Sequence, residues 1–283
     1  MVYKKVAIFG VGLIGGSLGL ALRERKLAKE VMGFSRRLET LQKARSLGLI
    51  DSYTLDPKKA LSDADLIILA APPSAVLKIL EEMPTFLKGH PLVTDTCSTK
   101  EKIVSAAEHF LPATLSFVGG HPIAGSEKSG PEAATANLFE DRTAILTPTP
   151  RTNLMGLKAV KDLWERLGSK VFFLSPAEHD RILTTTSHLP HLLAVFATLL
   201  LKRSSFAEKK EFVGTGFQDV SRIAAGNPSL WKDIFLTNRT NLDEVLDLLE
   251  GLIAEWKTAL EKGDEEQIER LLEEASEFRK VLS

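Results

Sequence analysis

The 283-residue chain holds one cysteine, Cys97, so no disulfide can form within it. A lone thiol fits a reducing compartment, and the cytoplasm is the expected location. An excess of charge of either sign is also missing: 36 Lys and Arg against 37 Asp and Glu leave a formal charge of −1. Nucleic acid would need a basic field and a membrane surface a cationic face, so neither is expected as a partner. Past the first strand the longest apolar run, residues 192–201, falls short of the ~20 residues that cross a bilayer. The chain enters a strand directly after its first residues, which leaves no room for a signal peptide. Hydrophobic content of 44% and charged content of 26% suit a soluble globular chain of one large or two smaller domains.

What is present begins at residue 4. An apolar run over residues 4–9 meets Gly10-Val11-Gly12-Leu13-Ile14-Gly15 at once, and residues 13–25 read as a helix. Strand, glycine turn and helix in that order are the context that makes G-x-G-x-x-G a dinucleotide signal. Gly10 permits the tight turn, Gly12 lets a pyrophosphate reach the backbone, and Gly15 allows helix and strand to pack closely. The free N–H groups of the helix start, at Leu13 and Ile14, face the phosphates. A second strand spans residues 30–34 and ends at Ser35-Arg36-Arg37. An acidic residue there would hold the ribose hydroxyls of NAD. Two guanidiniums and a hydroxyl suit a phosphate instead, so NADP is favoured and NAD stays open.

Strands and helices then alternate. A helix over residues 38–47 stops at Gly48, and the fully apolar 65–70 reads as a strand covered on both faces. Ala71 and Pro72 end that strand and join the cofactor-binding set. Helices at 74–87, 101–110 and 154–167 separate strands at 91–94, 116–118, 142–146 and 170–174. The result is an α/β fold with a doubly wound parallel sheet over residues 1–175. From Pro176 the text turns helical, with helices at 177–203, 217–225, 229–237, 238–261 and 265–282. Their wide apolar stripes need a partner surface, so residues 176–283 read as an all-α domain that forms a homodimer across a two-fold.

Polar residues at strand carboxyl ends converge on the cofactor crevice. Ser98 and His121 both sit at such ends. His121, in Gly119-Gly120-His121-Pro122-Ile123-Ala124-Gly125, has little regular structure to belong to and reads as a loop residue with a catalytic role. The helical half offers Ser187-His188-Leu189-Pro190-His191, Arg222, Trp231 and Lys232. H-x-x-H without matching cysteines or acids is a weak metal signal, and no metal is expected.

These blocks, with the 95–100 turn, Leu146-Thr147-Pro148-Thr149 and the 217–222 and 228–235 segments, resemble the prephenate dehydrogenase family, which includes arogenate (cyclohexadienyl) dehydrogenases. The resemblance implies a Rossmann-type domain, an all-α dimerisation domain, and an active site between them. It also implies oxidative decarboxylation of prephenate to 4-hydroxyphenylpyruvate in tyrosine biosynthesis, with hydride passed to NAD(P). By that resemblance His121 is the base that takes the ring hydroxyl proton, and Ser98 orients it. Arg222 binds the ring carboxylate, a task a guanidinium performs bidentately. His191 lies near the pyruvyl chain, Glu127 and Asp219 at the pocket entrance, and Ser187 and Trp231 complete the substrate set. Gln218 stands where some relatives carry lysine, which removes a cation from the pocket. Glu127 and His191 point to prephenate, whereas Ser35-Arg36-Arg37 is similar to NADP-using arogenate enzymes; prephenate is expected, with arogenate as a second substrate. No βαββαβ regulatory module is expected after Leu282, so inhibition by tyrosine would act at the active site. Two rivals remain: an imine or β-hydroxy acid reductase of similar layout, and a non-catalytic NADP-sensing protein. Neither calls for Ser98, His121 and Arg222 together.

Overall fold

A computed structural model describes residues 2–87, 89–125 and 128–282. The first part runs β1 (Tyr3–Phe9), α1 (Leu13–Glu24), β2 (Ala28–Phe34), α2 (Leu38–Ser46), β3 (Ser52–Thr54), α3 (Pro57–Leu61), β4 (Leu66–Leu69) and α4 (Pro73–Glu82). It continues through β5 (Leu92–Asp95), α5 (Glu101–Phe110), β6 (Ser116–Pro122), β7 (Thr143–Thr147), α6 (Leu154–Arg166) and β8 (Lys170–Phe173). Among the described residues the strands form one eight-stranded sheet in the order β3-β2-β1-β4-β5-β6-β7-β8. The order reverses between β1 and β4, and that switch point opens a crevice at the strand carboxyl ends. Val6, Ile8, Leu66 and Ile68 pack on one face with α1, α2 and α6 side chains. Ala7, Phe9, Ile67, Leu69 and Val93 pack on the other with α4 and α5. Two covered faces explain why β4, Leu66 to Leu69, is apolar throughout.

The sheet is not parallel throughout, as the alternating pattern had implied. β7 runs antiparallel to β6, with His121 opposite Ile145, and β8 then pairs parallel to β7. A parallel return needs a crossover that carries the chain back to the far edge, usually on a helix. Among the described residues of 123–142 the one helical piece is a three-residue 3-10 turn, Pro131–Ala133, which packs on α1 and α2. The chain therefore re-enters the sheet from the same end. β6 is also longer than expected, and it takes in Gly119, Gly120, His121 and Pro122. His121 is a strand residue, not a loop residue. The short β3 and α3 escape the pattern because three and five residues are too few to show a period; Asp56 caps α3 through the Lys58 N–H.

The helical part contains α7 (Pro176–Leu183), a π-helical turn (Thr184–His188) and α8 (Leu189–Arg203), which follow without a break. Ser175 and Glu178 close a capping box at its start. The 28-residue run 176–203 is long and apolar enough, by length and composition, to cross a membrane, so the ten-residue run read from sequence understates it. α9 (Thr215–Ser221), a 3-10 turn (Arg222–Ala225) and α10 (Pro228–Thr237) follow. By packing, residues 1–238 form one compact unit, in which α7 packs on α5, and α10 on α4. The second unit, residues 239–283, holds α11 (Arg239–Lys262) and α12 (Glu265–Val281), paired with each other.

Candidate functional site

The glycine turn provides a cradle of the right shape for a dinucleotide. Gly10 sits at φ +101°, and a Cβ there would meet the Ala70 carbonyl oxygen at 2.4 Å. A Cβ on Gly15 would lie 1.8 Å from the Gly10 carbonyl oxygen, so helix and turn touch through backbone alone. A Cβ on Gly12 would meet nothing within 4 Å. That open space lies at the N-terminus of α1, where no side chain caps the first N–H groups, those of Leu13 and Ile14 included. Uncapped donors beside open space fit a pyrophosphate. Ala71 and Pro72 follow β4 across the same switch point, Pro72 as the N-cap of α4. Ser35 follows β2 and accepts a hydrogen bond from the Arg37 N–H at 3.3 Å. Arg36 and Arg37 are exposed beside it.

Beyond β5 and β6 the chemistry gathers around His121, which is only 8% exposed. Burial pushes its pKa well below the usual histidine value, and the neighbouring His179, Lys100 and His188 add to that fall. Lys100, fully buried, donates to the Asp95 carboxylate and, at 2.8 Å, to the Gly120 carbonyl oxygen. Asp95 also accepts from the Gly120 and Cys97 N–H groups. The ion pair thus clamps the backbone just before His121. The pair of glycines is needed because a Cβ on Gly120 would press on the Asp95 carbonyl oxygen at 2.9 Å, and one on Gly119 on Thr147 Oγ1 at 2.4 Å. His121 Nδ1 bonds His179 Nε2 at 2.8 Å, and His179 Nδ1 bonds Asp180 Oδ1 at 2.8 Å. Orientation of the His121 ring, expected from Ser98, comes from His179 on α7. Ser98 stands half-buried in the turn after β5, with its backbone beside His188.

His188, 1% exposed, is held near pKa 4 by burial, and the Asn238 amide donates to its Nδ1 at 3.1 Å. The same amide reaches the Asp180 carbonyl oxygen and Thr184 Oγ1. His188 meets Trp231 edge-on at 6.3 Å, and His191 stacks flat on the same indole at 3.5 Å. Burial lowers His191 to about 4 as well. Gly226 closes the stack: a Cβ there would lie 2.6 Å from Trp231 Nε1 and 3.1 Å from His191 Cε1. Arg222, exposed, belongs to the 3-10 turn that packs on α8 just before that glycine. Two ring groups result, His121 with His179 and His188 with Trp231 and His191, and the Arg222 turn lies beside the second. Ser187 is half-buried in the π turn; Asp219 and Gln218 are exposed on α9, where Gln218 donates to the Val213 carbonyl oxygen at 3.3 Å. Glu127 lies outside the described residues.

Sequence reading missed His179, Asp180, Lys100, Asp95 and Asn238. One signal was available. Asp180, Thr184, His188 and His191 recur at spacings of four, four and three, a polar stripe along one face of a helix. A buried polar stripe on a helix is uncommon unless it serves a site.

Two family models match the chain: "Prephenate dehydrogenase, nucleotide-binding domain" over residues 18–173 and "Prephenate dehydrogenase, dimerization domain" over residues 175–274. The chain is 35% identical to the prephenate dehydrogenase of Bacillus subtilis, over 97% of this chain and 75% of the relative. It is 33% identical to the cyclohexadienyl dehydrogenase of Zymomonas mobilis, over 99% of this chain and 97% of the relative. A crystal structure of prephenate dehydrogenase from Aquifex aeolicus, in complex with hydroxyphenyl propionate and NAD+, superposes with a TM-score of 0.89 at 35% identity, covering 99% of each chain.

Proposed function

Because the chain belongs to the prephenate dehydrogenase family, whose members are oxidoreductases, we propose that it oxidises prephenate to 4-hydroxyphenylpyruvate with loss of carbon dioxide, as a step in tyrosine biosynthesis. The observation that carries this reading is His121: a neutral imidazole, held on a clamped strand at the carboxyl edge of the sheet. A dinucleotide held by its pyrophosphate along Gly10, Gly12 and Gly15 would supply the hydride acceptor through its oxidised nicotinamide. His121 takes the proton of the ring hydroxyl as hydride leaves the carbon that bears it, and the hydroxyl becomes a carbonyl. Burial suits the ring to this task, since it stays uncharged and ready to accept a proton at neutral pH. Cleavage of the ring carboxyl then releases carbon dioxide, and its bonding electrons pass through the ring to the carbonyl oxygen; aromatisation drives the step, and the phenolate takes back the proton held on His121 to give the phenol.

The substrate carries two carboxylates. Arg222 binds the one on the ring, and the Trp231-stacked His191 meets the pyruvyl end, with Ser187 and Gln218 in the substrate set and Asp219 at the entrance. Ser98 contacts the substrate hydroxyl. Arg36 and Arg37, exposed after β2, support a preference for NADP over NAD; Ser35 lies with them. Exposed Leu193, Phe196 and Leu200 on α8, and Leu248, Leu252 and Ile253 on α11, support pairing with a second copy. The functional division stays at residues 175 and 176, supported by family models that meet at 173 and 175. The single buried thiol supports a cytoplasmic location. Arogenate is a second substrate on this reading, supported by the broader name of the Zymomonas relative. Formation of reduced cofactor is followed at its absorbance band with prephenate or arogenate and with each cofactor. Turnover of prephenate is expected, and His121→Asn should lower kcat by roughly two to four orders of magnitude with little change in KM. A His121→Asn enzyme with near-full kcat would remove His121 as the base, and no turnover in a protein that still binds cofactor would leave a sensor.

A further inference from the structure

We propose that His179 and Asp180 form a positioning dyad that fixes the His121 tautomer, so that its Nε2 carries the lone pair for the substrate hydroxyl. This rests on the reading of His121 as the base. Asp180 is 1% exposed. Its Oδ1 accepts the Lys100 N–H at 2.7 Å, and its Oδ2 the Glu101 N–H at 2.9 Å. Lys100 is the N-cap of α5 and offers no side-chain cap of its own. A carboxylate from α7 thus caps α5, where uncompensated N–H groups and the helix dipole favour negative charge. A carboxylate in that place can only accept.

The consequences run outward bond by bond. His179 Nδ1, 2.8 Å from Asp180 Oδ1, must carry a hydrogen and donate it. Burial lowers the His179 pKa, against which the Asp180 bond works, and the ring is neutral near pH 7. A neutral ring protonated at Nδ1 has its lone pair on Nε2. That Nε2 faces His121 Nδ1 at 2.8 Å, so His121 Nδ1 is the donor and carries the hydrogen. His121 Nε2 then holds the free lone pair. No other tautomer satisfies both bonds. Once His121 takes the substrate proton, its Nδ1–H still donates to His179, and the dyad offsets part of the cost of a buried imidazolium. The other charged or titratable groups acting on these two rings are Lys100 and Asp95 from the β5–α5 turn and His188 from the π turn. Lys100 disfavours a proton on either ring, and Asp95 and Asp180 favour one on His179.

His179→Gln places an amide oxygen near the position of Nε2 and keeps an acceptor for His121. His179→Asn fills the Nδ1 end only and leaves His121 without that acceptor. The Asn variant should lose kcat on the order of 100-fold, as loss of tautomer control does in a base, with KM within about threefold. Its acid limb in log kcat should move to lower pH, because the imidazolium loses an acceptor. The Gln variant should return to within about threefold of the wild-type kcat. The 15N ring shifts of His121, assigned by difference from His121→Asn, should be pyrrole-like at Nδ1 and pyridine-like at Nε2 in the unmodified enzyme. In His179→Asn they should move toward the reverse. Wild-type shifts that already show Nε2 protonated would overturn the dyad even if neither variant folds. So would a folded His179→Asn enzyme with unchanged kcat and pH profile. In both cases a His121→Asn enzyme that is still dead would leave the base in place, whereas an active one would remove the base itself.

Discussion

Gly12→Ala separates the cofactor cradle from the fold. The added Cβ meets no protein atom within 4 Å, so nothing in the protein need move. The backbone there is extended, at φ −80° and ψ −151°, and does not demand glycine. Alanine is the poorer N-cap, which costs about 0.5–1 kcal/mol, or roughly 1–4 °C in Tm for a unit of this size. The methyl group does occupy the space above the N-terminus of α1. A phosphate pushed away from those N–H groups loses one charge-assisted hydrogen bond, worth about 1.5–3 kcal/mol. The Kd of both cofactors should therefore rise roughly 10- to 100-fold. Gly15→Ala should behave in the opposite sense. Its Cβ would stand 1.8 Å from the Gly10 carbonyl oxygen, and backbone must shift to admit it. That costs about 3 kcal/mol or more, so Tm should fall by roughly 6–12 °C. Calorimetric titration with each cofactor and thermal melts of both variants provide the comparison. A Gly12→Ala protein with wild-type affinity for both cofactors would refute the assignment of this turn as a pyrophosphate cradle.

Three further outcomes follow from the same geometry. Arg36→Asp combined with Arg37→Asn should weaken NADP far more than NAD in parallel titrations; equal losses would end the case for a 2′-phosphate contact. Arg222→Gln should raise KM for prephenate by roughly 10- to 100-fold with kcat less affected, as removal of a charged contact to a substrate carboxylate does; a change in kcat alone would place Arg222 elsewhere in the mechanism. Stability should depend on pH through the buried histidines. His121, His179, His188 and His191 all have folded pKa values below 6.5, so the unfolded chain binds protons that the native chain refuses. Their contribution is complete above pH 6.5 and is lost as pH falls toward about 4, the value at His188 and His191. His188 alone should cost about 2 kcal/mol at pH 5. Thermal melts between pH 7.5 and 5 measure this, and a flat Tm across that window would contradict neutral buried rings.

The sheet was legible where the period or the glycine spacing is strong. β1, its turn and α1 are visible as a unit because each glycine answers a local backbone demand. β4 is visible because a continuous apolar run marks a strand covered on both faces. The antiparallel β7 was not, since its direction depends on how the chain returns from β6, and the 3-10 turn Pro131–Ala133 on that return is placed by α1 and α2. His121 was singled out on a premise that the fold corrects. Its glycines suggested a loop, whereas they are strand residues that leave room for Asp95 and Thr147. The 28-residue helix 176–203 was read as a whole, yet the π turn within it was not, because an extra residue per turn leaves no trace in composition.

Local pattern determined the glycine cradle, the order of strands and helices, the change of texture at Pro176 and the choice of His121 and Arg222. Tertiary structure decided which group stands behind the imidazole. His121 and His179 are 58 positions apart, as are Asp180 and Asn238, and Lys100 meets Asp180 across 80. Periodicity carries information over a few turns of helix or a few residues of strand. Pairings at those separations arise only when α7 is packed against α5, and the energy that selects them is the burial of both helices and not any preference of the residues that meet.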